Sequence, residues 1–192
     1  MNKLLISVVL GVFVLAFASS VLAQEAIIRT NVDSNCPLIA DGTTEYQLNV
    51  YADNTGLNGW TTDAIQWRVL VPSGLQSYIN VTRVKGTQDN RPENDFFAGK
   101  SMFWERITTR FEDGHGRLTD LGQGVSNGQG NVVNYWFTIS PNMPRVPVRT
   151  SFNLDATGFA DPNGVLQPYR IENVPFVVLP NNFPFMSAKC RR

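Results

Sequence analysis

The sequence predicts an all-β domain, built as a sandwich or a jelly roll of about nine strands. Apolar and polar residues alternate along one segment after another, turn-forming residues recur about every ten positions, and no segment carries a helical stripe of apolar residues. No internal repeat and no linker between domains interrupts the pattern. We therefore expect residues 24–180 to form a single domain, followed by an irregular C-terminal tail at 181–192.

The segment Gly130–Pro141 is the best candidate for a central strand. It is rich in the branched and aromatic residues that suit a pleated sheet, with glycines before it and a proline at its end. At a period of two, one side carries Val133, Tyr135, Phe137 and Ile139. The other side carries Asn134, Trp136, Thr138 and Ser140. This alternation predicts a half-buried strand.

The first 23 residues have the composition of a secretory signal peptide. Lys3 supplies a positive charge, Leu4–Phe17 is almost wholly apolar, and Val21-Leu22-Ala23 is an acceptable cleavage site. An uncleaved membrane anchor is the alternative, although the apolar run is short for a span. No later run is long enough to cross a bilayer. We expect a mature chain that begins at Gln24 and is secreted, either outside the cell or into the periplasm.

The other strands are predicted in order along the chain. The clearest is Thr44–Asp53, whose apolar residues all fall on one face. The remaining strands and short aromatic segments are Ala26–Val32, Ile65–Val71, Tyr78–Lys85, Phe96–Phe97, Met102–Trp104, Arg106–Phe111, Phe152–Ala156 and Tyr169–Leu179. Pro175 implies an edge strand or a bulge in the last of these. Gly86–Asp95 is predicted to be a surface loop, and His115, between two glycines in an acidic turn, is predicted to be exposed.

Two cysteines, Cys36 and Cys190, lie near the two ends of the mature chain. In an exported protein a disulfide between them is the favoured state, and two unpaired thiols are the alternative. A disulfide requires the segments before the two cysteines to finish at the same end of the domain, as neighbouring parallel strands would. Closing so long a loop would stabilise the fold by up to about 5 kcal/mol in the chain-entropy model.

Charge and motifs give no sign of a nucleic-acid partner or an active site. Sixteen basic residues balance sixteen acidic ones, without a run that would attract nucleic acid or an acidic membrane. Gly124-Val125-Ser126-Asn127-Gly128 matches a serine-nucleophile motif, but a strand follows it and the single histidine precedes it. One histidine and two cysteines cannot assemble a transition-metal site. We therefore predict no catalytic residue, no metal and no cofactor.

Three lesser possibilities stay open at this stage. A glycosidase needs two suitably spaced carboxyl groups, and the candidates are Glu93, Asp95, Glu105, Glu112 and Asp113. Asp161, Asn163 and Asp155 could supply oxygens to a calcium ion, although Asp161-Pro162-Asn163-Gly164 is first of all a β-turn sequence. Asn80-Val81-Thr82 is a sequon that matters only in a host that glycosylates such sites.

The order of these features resembles the cohesin family. The shared features are the opening strand Ala26–Val32, the alternating strand Tyr46–Asp53, the strand and proline turn Ile65–Leu75, the pair Phe96-Phe97, the Gly128-x-Gly130 approach to Tyr135–Ile139, and Phe152–Ala156 with the turn at 161–164. The resemblance covers most of the mature chain. It implies a nine-stranded jelly-roll β-sandwich whose first and last strands are parallel.

The resemblance also implies a non-catalytic module that binds a dockerin domain, and related sandwiches bind carbohydrate. In the family the partner docks on the sheet that contains the third, fifth, sixth and eighth strands. On this chain the outward residues of that sheet would be Gln66, Arg68, Leu70, Arg106, Thr108, Arg110, Ser151, Asn153 and Asp155. An ordinary solvated sheet face is the alternative for each of these residues.

These inferences together predict a secreted, non-enzymatic binding module of cohesin-like type. Its partner would be a dockerin-like protein or a polysaccharide, in the setting of polysaccharide degradation. The alternatives are a structural subunit of an envelope or extracellular assembly and a carbohydrate-active enzyme.

Overall fold

The structure, a computed structural model, describes residues 25–57 and 59–183 of the 192-residue chain. These residues form twelve strands: β1 (Ala26–Val32), β2 (Leu38–Ala40), β3 (Tyr46–Asp53), β4 (Ala64–Leu70), β5 (Ile79–Lys85), β6 (Met102–Arg106), β7 (His115–Thr119), β8 (Gln129–Ile139), β9 (Val148–Thr150), β10 (Asn153–Ala160), β11 (Tyr169–Asn173) and β12 (Phe176–Pro180). No described residue is helical, so none belongs to a helix that could cross a membrane.

The strands form a β-sandwich of two main sheets with a small third sheet beside them. The five-stranded sheet has the order β11-β1-β3-β8-β5, the four-stranded sheet β10-β4-β7-β6, and the three-stranded sheet β2-β12-β9. The predicted all-β sandwich is confirmed. β1 runs parallel to β11, and β2 runs parallel to β12. The beginning and the end of the domain therefore lie side by side, as predicted.

The twelve strands exceed the predicted nine for two reasons. The segment Tyr169–Leu179 is two strands, because the chain leaves one sheet and enters another around Pro175. In addition, β2 and β9 have three residues each, too few to show an alternating pattern. Proline has no N–H to give to a ladder, so a break at Pro175 follows from its chemistry.

The hydrophobic core lies between the two main sheets and is supplied by alternate residues of their strands. Leu48, Val50 and Ala52 of β3 are buried, as are Ile65 and Trp67 of β4. These are the residues that a period of two assigns to the inner faces. The alternation in the sequence thus determines which side of each strand faces the other sheet.

The expectation that β8 is only half buried is wrong. Residues 130–137 are all buried. Asn134 Nδ2 donates to Asn49 Oδ1 at 2.6 Å, and Asn134 Oδ1 accepts from the backbone N–H of Glu93 at 2.7 Å. The guanidinium of Arg83 covers the ring of Trp136 at 4.1 Å. The polar residues of the second face are therefore satisfied by neighbouring side chains and by the loop that contains Glu93.

The predicted strand at Arg106–Phe111 is also wrong, since the strand is β6 and residues 107–114 form a loop. Thr108 turns the chain there, because its hydroxyl accepts a hydrogen bond from the N–H of Arg110 at 3.1 Å. Phe111 then enters the core, where its ring meets the ring of Tyr135 edge-on at 4.9 Å. The alternation at Arg106–Phe111 therefore marks a loop in which Phe111 is buried, not a strand.

A buried ion pair joins the four-stranded sheet to the loop between β5 and β6. The side chain of Arg117 on β7 is 0% exposed, and its Nη1 lies 2.5 Å from Oδ1 of Asp95, which is 4% exposed. Glu105 of β6 and Arg91 of the loop complete the cluster at 3.2 Å and 2.6 Å. The backbone of Asp95 bridges to Asn131 of β8, so the cluster connects both main sheets.

Replacing Arg117 with methionine should destabilise the fold strongly. The substitution would leave the carboxylate of Asp95 buried without its main partner, a change that costs about 3–5 kcal/mol in proteins. Arg149→Met, at an exposed arginine of β9, is the matched control, with an expected change within about 0.5 kcal/mol. Chemical denaturation of both variants measures the difference. A loss below about 1 kcal/mol for Arg117→Met would show that the cluster is not a structural requirement.

Three predictions concern residues that the structure does not describe. Cys36 lies in the loop between β1 and β2, whereas Cys190 is outside the described residues. The signal peptide at 1–23 lies outside them as well, and so does the tail beyond residue 183. The disulfide, the cleavage and the irregular tail stay predictions.

Candidate functional site

The outer face of the four-stranded sheet carries most of the residues that the resemblance to cohesins singled out for binding. Ile65, Trp67 and Val69 of β4 point into the core, so Gln66 and Arg68 between them point outward. Strand pairing sets Gln66 opposite Gly158 of β10 and Gly116 of β7. Gly116 is in turn opposite Arg106 of β6. One row of outward positions therefore crosses all four strands.

Most of the predicted binding residues come together on this face. Gln66, Arg68 and Leu70 lie on β4, Arg106 lies on β6, and Asn153 and Asp155 lie on β10. Ser151 lies two residues before the start of β10, and its hydroxyl donates to Asn153 Oδ1 at 3.1 Å. Thr108 and Arg110 are not on the sheet, because they belong to the loop between β6 and β7. That loop starts directly after Arg106, the last residue of β6.

Two aromatic residues on β6 give the face an exposed apolar edge. The side chain of Phe103 is 74% exposed and that of Trp104 is 49% exposed. Trp104 is paired with Leu118 of β7, and its indole lies over Gly116: a β-carbon added there would come within 2.8 Å of the ring. Gly116 thus allows the indole to lie flat against the sheet. Exposed aromatic rings of this kind are enriched at protein interfaces.

The charges on the face are unevenly paired. Arg68 forms an ion pair with Asp155 across β4 and β10. Arg106 and Arg110 are exposed, and neither forms an ion pair with another described residue. The side near β6 therefore combines exposed aromatic rings with two guanidinium groups that have no carboxylate partner among the described residues.

His115 holds the loop that carries Thr108 and Arg110, and it is buried at 3% exposure rather than exposed as predicted. It starts β7 opposite Trp67, and the two rings stack with centroids 5.9 Å apart. Its Nε2 hydrogen-bonds to the carbonyl of Arg110 at 3.0 Å, and its Nδ1 faces the N–H of Thr108 at 3.4 Å. Burial lowers the pKa of His115 below its usual 6.5, because the charged ring would lose its hydration.

The carboxylates considered for a glycosidase are arranged for structure. Asp95 and Glu105 both pair with Arg117, and Glu93 and Glu112 are exposed on loops. One buried arginine therefore engages both Asp95 and Glu105 in structural ion pairs.

The other motifs are likewise engaged in structure. Ser126 of the nucleophile-like motif hydrogen-bonds through Oγ to the hydroxyl of Thr61 at 2.8 Å. Oδ1 of Asp161 accepts backbone hydrogen bonds from Asn163 at 2.9 Å and Val165 at 2.8 Å, and the Asp161 carbonyl accepts from the N–H of Gly164 at 2.9 Å, which closes a β-turn. Asp155, the third possible calcium ligand, pairs with Arg68 instead. Among the described residues, no three His, Cys, Asp or Glu side chains gather into a metal-binding group.

Sequence reasoning missed Trp104, Phe103 and Gly116 as members of this face. The aromatic segment Met102–Trp104 was visible, but three residues are too few to show which side of a strand points outward. Gly116 was assigned to a turn, although it lies within β7. The spacing of Trp104 and Arg106, which places both on one face of a strand, is the signal that could have found Trp104.

The stability of the fold should fall as the pH drops through the range in which free histidine is protonated. In the unfolded chain His115 binds a proton near pH 6.5, whereas in the folded state its pKa is lower and it stays neutral to a lower pH. The free energy of unfolding therefore decreases below about pH 6.5. Asp63 acts in the opposite direction, because burial raises its pKa and acid then favours its folded form.

His115→Gln isolates the histidine contribution, since Asp63 is present in both proteins. Urea titrations at about pH 7 and about pH 5 should show a smaller loss for the variant than for the natural chain. Equal losses in the two proteins would mean that His115 does not carry the pH dependence.

Comparison with known proteins identifies the fold. No protein-family model matches the sequence, and no curated protein matches it. The structure is similar to a non-cellulosomal cohesin from the archaeon Archaeoglobus fulgidus, with a TM-score of 0.54 and 12% identity over 82% of this chain and 94% of that one. It is also similar to the third ScaB cohesin of R. flavefaciens, solved with a group 1 dockerin, with a TM-score of 0.53 and 13% identity over 83% and 98%.

A third similar structure is the cohesin of a type I cohesin–dockerin complex from Clostridium thermocellum, with a TM-score of 0.52 and 10% identity over 81% of this chain and 93% of that one. The match spans most of both chains in all three cases, although only 10–13% of the residues are identical. The chain has a cohesin-like β-sandwich fold.

Proposed function

We propose that this protein is a secreted, non-catalytic binding module that docks a folded protein domain on the outer face of its four-stranded sheet. The observation that carries the proposal is the exposed edge strand β6, which carries Phe103, Trp104 and Arg106 and is followed by the loop that contains the exposed Arg110. Tryptophan and arginine are the residues most enriched among those that dominate binding energy. An outer sheet face of an ordinary soluble domain carries fewer large apolar groups.

The comparisons support a protein as the partner. Two of the similar cohesins were solved in complex with dockerins. The four-stranded sheet of the present chain contains β4, β6, β7 and β10. The resemblance to cohesins implies docking on a four-stranded sheet, formed in that family by the third, fifth, sixth and eighth strands. A dockerin-like domain is therefore the partner we propose, with a polysaccharide as the second candidate that the same experiment tests.

The proposed location is outside the cell or in the periplasm, in polysaccharide degradation. It rests on the signal-peptide composition of residues 1–23 and on the two cysteines, Cys36 and Cys190. Genes for polysaccharide-degrading enzymes with dockerin-like domains beside the gene for this protein would support that setting.

Loss of Trp104 and reversal of Arg106 should abolish partner binding without unfolding the domain. Both side chains lie on the surface of an edge strand, so Trp104→Ala/Arg106→Glu removes an exposed ring and a charge rather than core packing. The expected loss is at least about 2 kcal/mol, or about 30-fold in affinity. Immobilised mature protein would capture partners from the native secretome, and calorimetry on the recovered protein would measure affinity.

The matched control changes the same kinds of residue on the other main sheet. Tyr51 and Arg83 lie on the five-stranded sheet, and Tyr51→Ala/Arg83→Glu should leave capture unchanged. If the Trp104→Ala/Arg106→Glu variant still captures the partner and the control variant does not, the docking surface is on the five-stranded sheet and the proposal is wrong. A glycan array on the same proteins tests the polysaccharide; no captured protein and no bound glycan would contradict the proposal.

The exported protein should contain one disulfide and begin at Gln24. Peptide mapping without reduction is expected to link Cys36 to Cys190, and the intact mass should be two hydrogens below that of the reduced chain. Reduction should then lower the free energy of unfolding by up to about 5 kcal/mol. Two free thiols in the unreduced mature chain, or a retained residue 1–23 segment, would contradict the proposed export.

A further inference from the structure

One edge of the sandwich differs from the others in its regularity. The outer strands of the two main sheets are β11 and β5 in one sheet and β10 and β6 in the other. The pairings of β5, β6 and β10 each contain a register shift, whereas β11 pairs with β1 over five residues without one. Bulges are a common way to prevent an edge strand from pairing with another chain. β11 lacks that protection.

The backbone of β11 has hydrogen-bonding groups on its outer side that bond to no other described residue. The N–H of Ala26 donates to the carbonyl of Pro168 at 2.9 Å, and the N–H of Val174 donates to the carbonyl of Thr30 at 3.1 Å. In a parallel ladder alternate residues bond to the same neighbour, so residues 168, 170, 172 and 174 face β1. The N–H and C=O groups of Tyr169, Ile171 and Asn173 therefore point away from the sheet.

The charges on β11 match those of a second, antiparallel copy. Nη2 of Arg170 lies 3.0 Å from Oε1 of Glu172 within one strand, and both side chains are solvent-accessible. If two copies pair antiparallel about Ile171, Arg170 of each copy lies opposite Glu172 of the other. Directly opposite charges of unlike sign stabilise an antiparallel pair, whereas like charges destabilise it. The strand is thus complementary to itself.

This edge exposes apolar side chains, and two prolines set its length. Ile171 is 39% exposed and Leu166, in the connection before β11, is 73% exposed. Pro168 and Pro175 flank the strand, and neither has an N–H to donate to a ladder. The segment available for pairing is therefore Tyr169–Val174, which is centred close to Ile171.

We propose that β11 pairs antiparallel with β11 of a second copy of this chain, which forms a twofold-symmetric dimer. The outward backbone groups would form about six hydrogen bonds, and the two five-stranded sheets would become one continuous sheet. The same strand meets itself, as a closed twofold interface requires. This interface uses neither Trp104 nor Arg106, so it is independent of the proposed docking face.

Sedimentation equilibrium of the mature chain, from about 1 µM to about 1 mM, measures the dimer. Arg170→Glu and Glu172→Arg place like charges opposite each other, and each alone should raise the dissociation constant at least about tenfold. The double variant Arg170→Glu/Glu172→Arg should restore the natural value. An equimolar mixture of the two single variants should form a heterodimer, although neither forms a homodimer well.

Two further variants separate this pairing from other causes. Glu93→Arg makes the same charge change at an exposed loop residue and should leave the dissociation constant unchanged. Ile171→Pro removes a central outward N–H that β1 does not use, so it should abolish the dimer while the thermal unfolding midpoint changes little. A monomer at every concentration, or a dimer that the Arg170 and Glu172 variants do not affect, would overturn the proposal.

Discussion

The buried pair of Arg117 and Asp95 is the interaction on which the arrangement of the two sheets depends. Arg117 comes from β7, on the four-stranded sheet, and its Nη1 also approaches the carbonyl of Val132 on β8 at 3.5 Å. Asp95 bridges to Asn131 of β8 through the backbone. A buried charge costs free energy unless it is paired, so Asp95 must lie next to Arg117. This requirement fixes the position of the loop that contains Asp95. The pair therefore determines both the path of the loop between β5 and β6 and the covering of β8.

This constraint explains why the outer face of the four-stranded sheet is well defined. Glu105 of β6 also pairs with Arg117, so β6 is held by an inward ion pair as well as by its ladder to β7. Its neighbours Trp104 and Arg106 are consequently directed outward, because successive residues of a strand point to opposite sides. The indole can then lie over Gly116. An edge strand fixed in this way presents its aromatic ring without first having to become ordered, which reduces the entropic cost of binding.

The sequence predicted the features that depend on alternation and missed those that depend on tertiary contacts. The strands β3 and β4 were predicted with their buried faces, and the parallel start and end of the domain were predicted from the resemblance and from the demand of a disulfide. The burial of His115 was missed, because an acidic, glycine-flanked turn gives no sign that Trp67 will stack on the ring. Arg117 gave no signal either, since a lone arginine between Gly116 and Leu118 resembles any solvated residue. The positions of Trp104 and Gly116 depend on the pairing of β6 with β7, which a single sequence does not reveal.

The two proposed interaction surfaces lie on different sheets, and this separation has a physical basis. A sandwich buries one face of each sheet, so the remaining surfaces are outer faces and strand edges. The outer face of the four-stranded sheet offers side chains, and the recognition proposed there would use Trp104 together with Arg106 and Arg110, which have no carboxylate partner among the described residues. The β11 edge offers backbone groups, which any strand could in principle satisfy; selectivity must come from charge order. The Arg170–Glu172 alternation supplies that order, because it matches an antiparallel copy and places like charges opposite each other when the register slips by two residues.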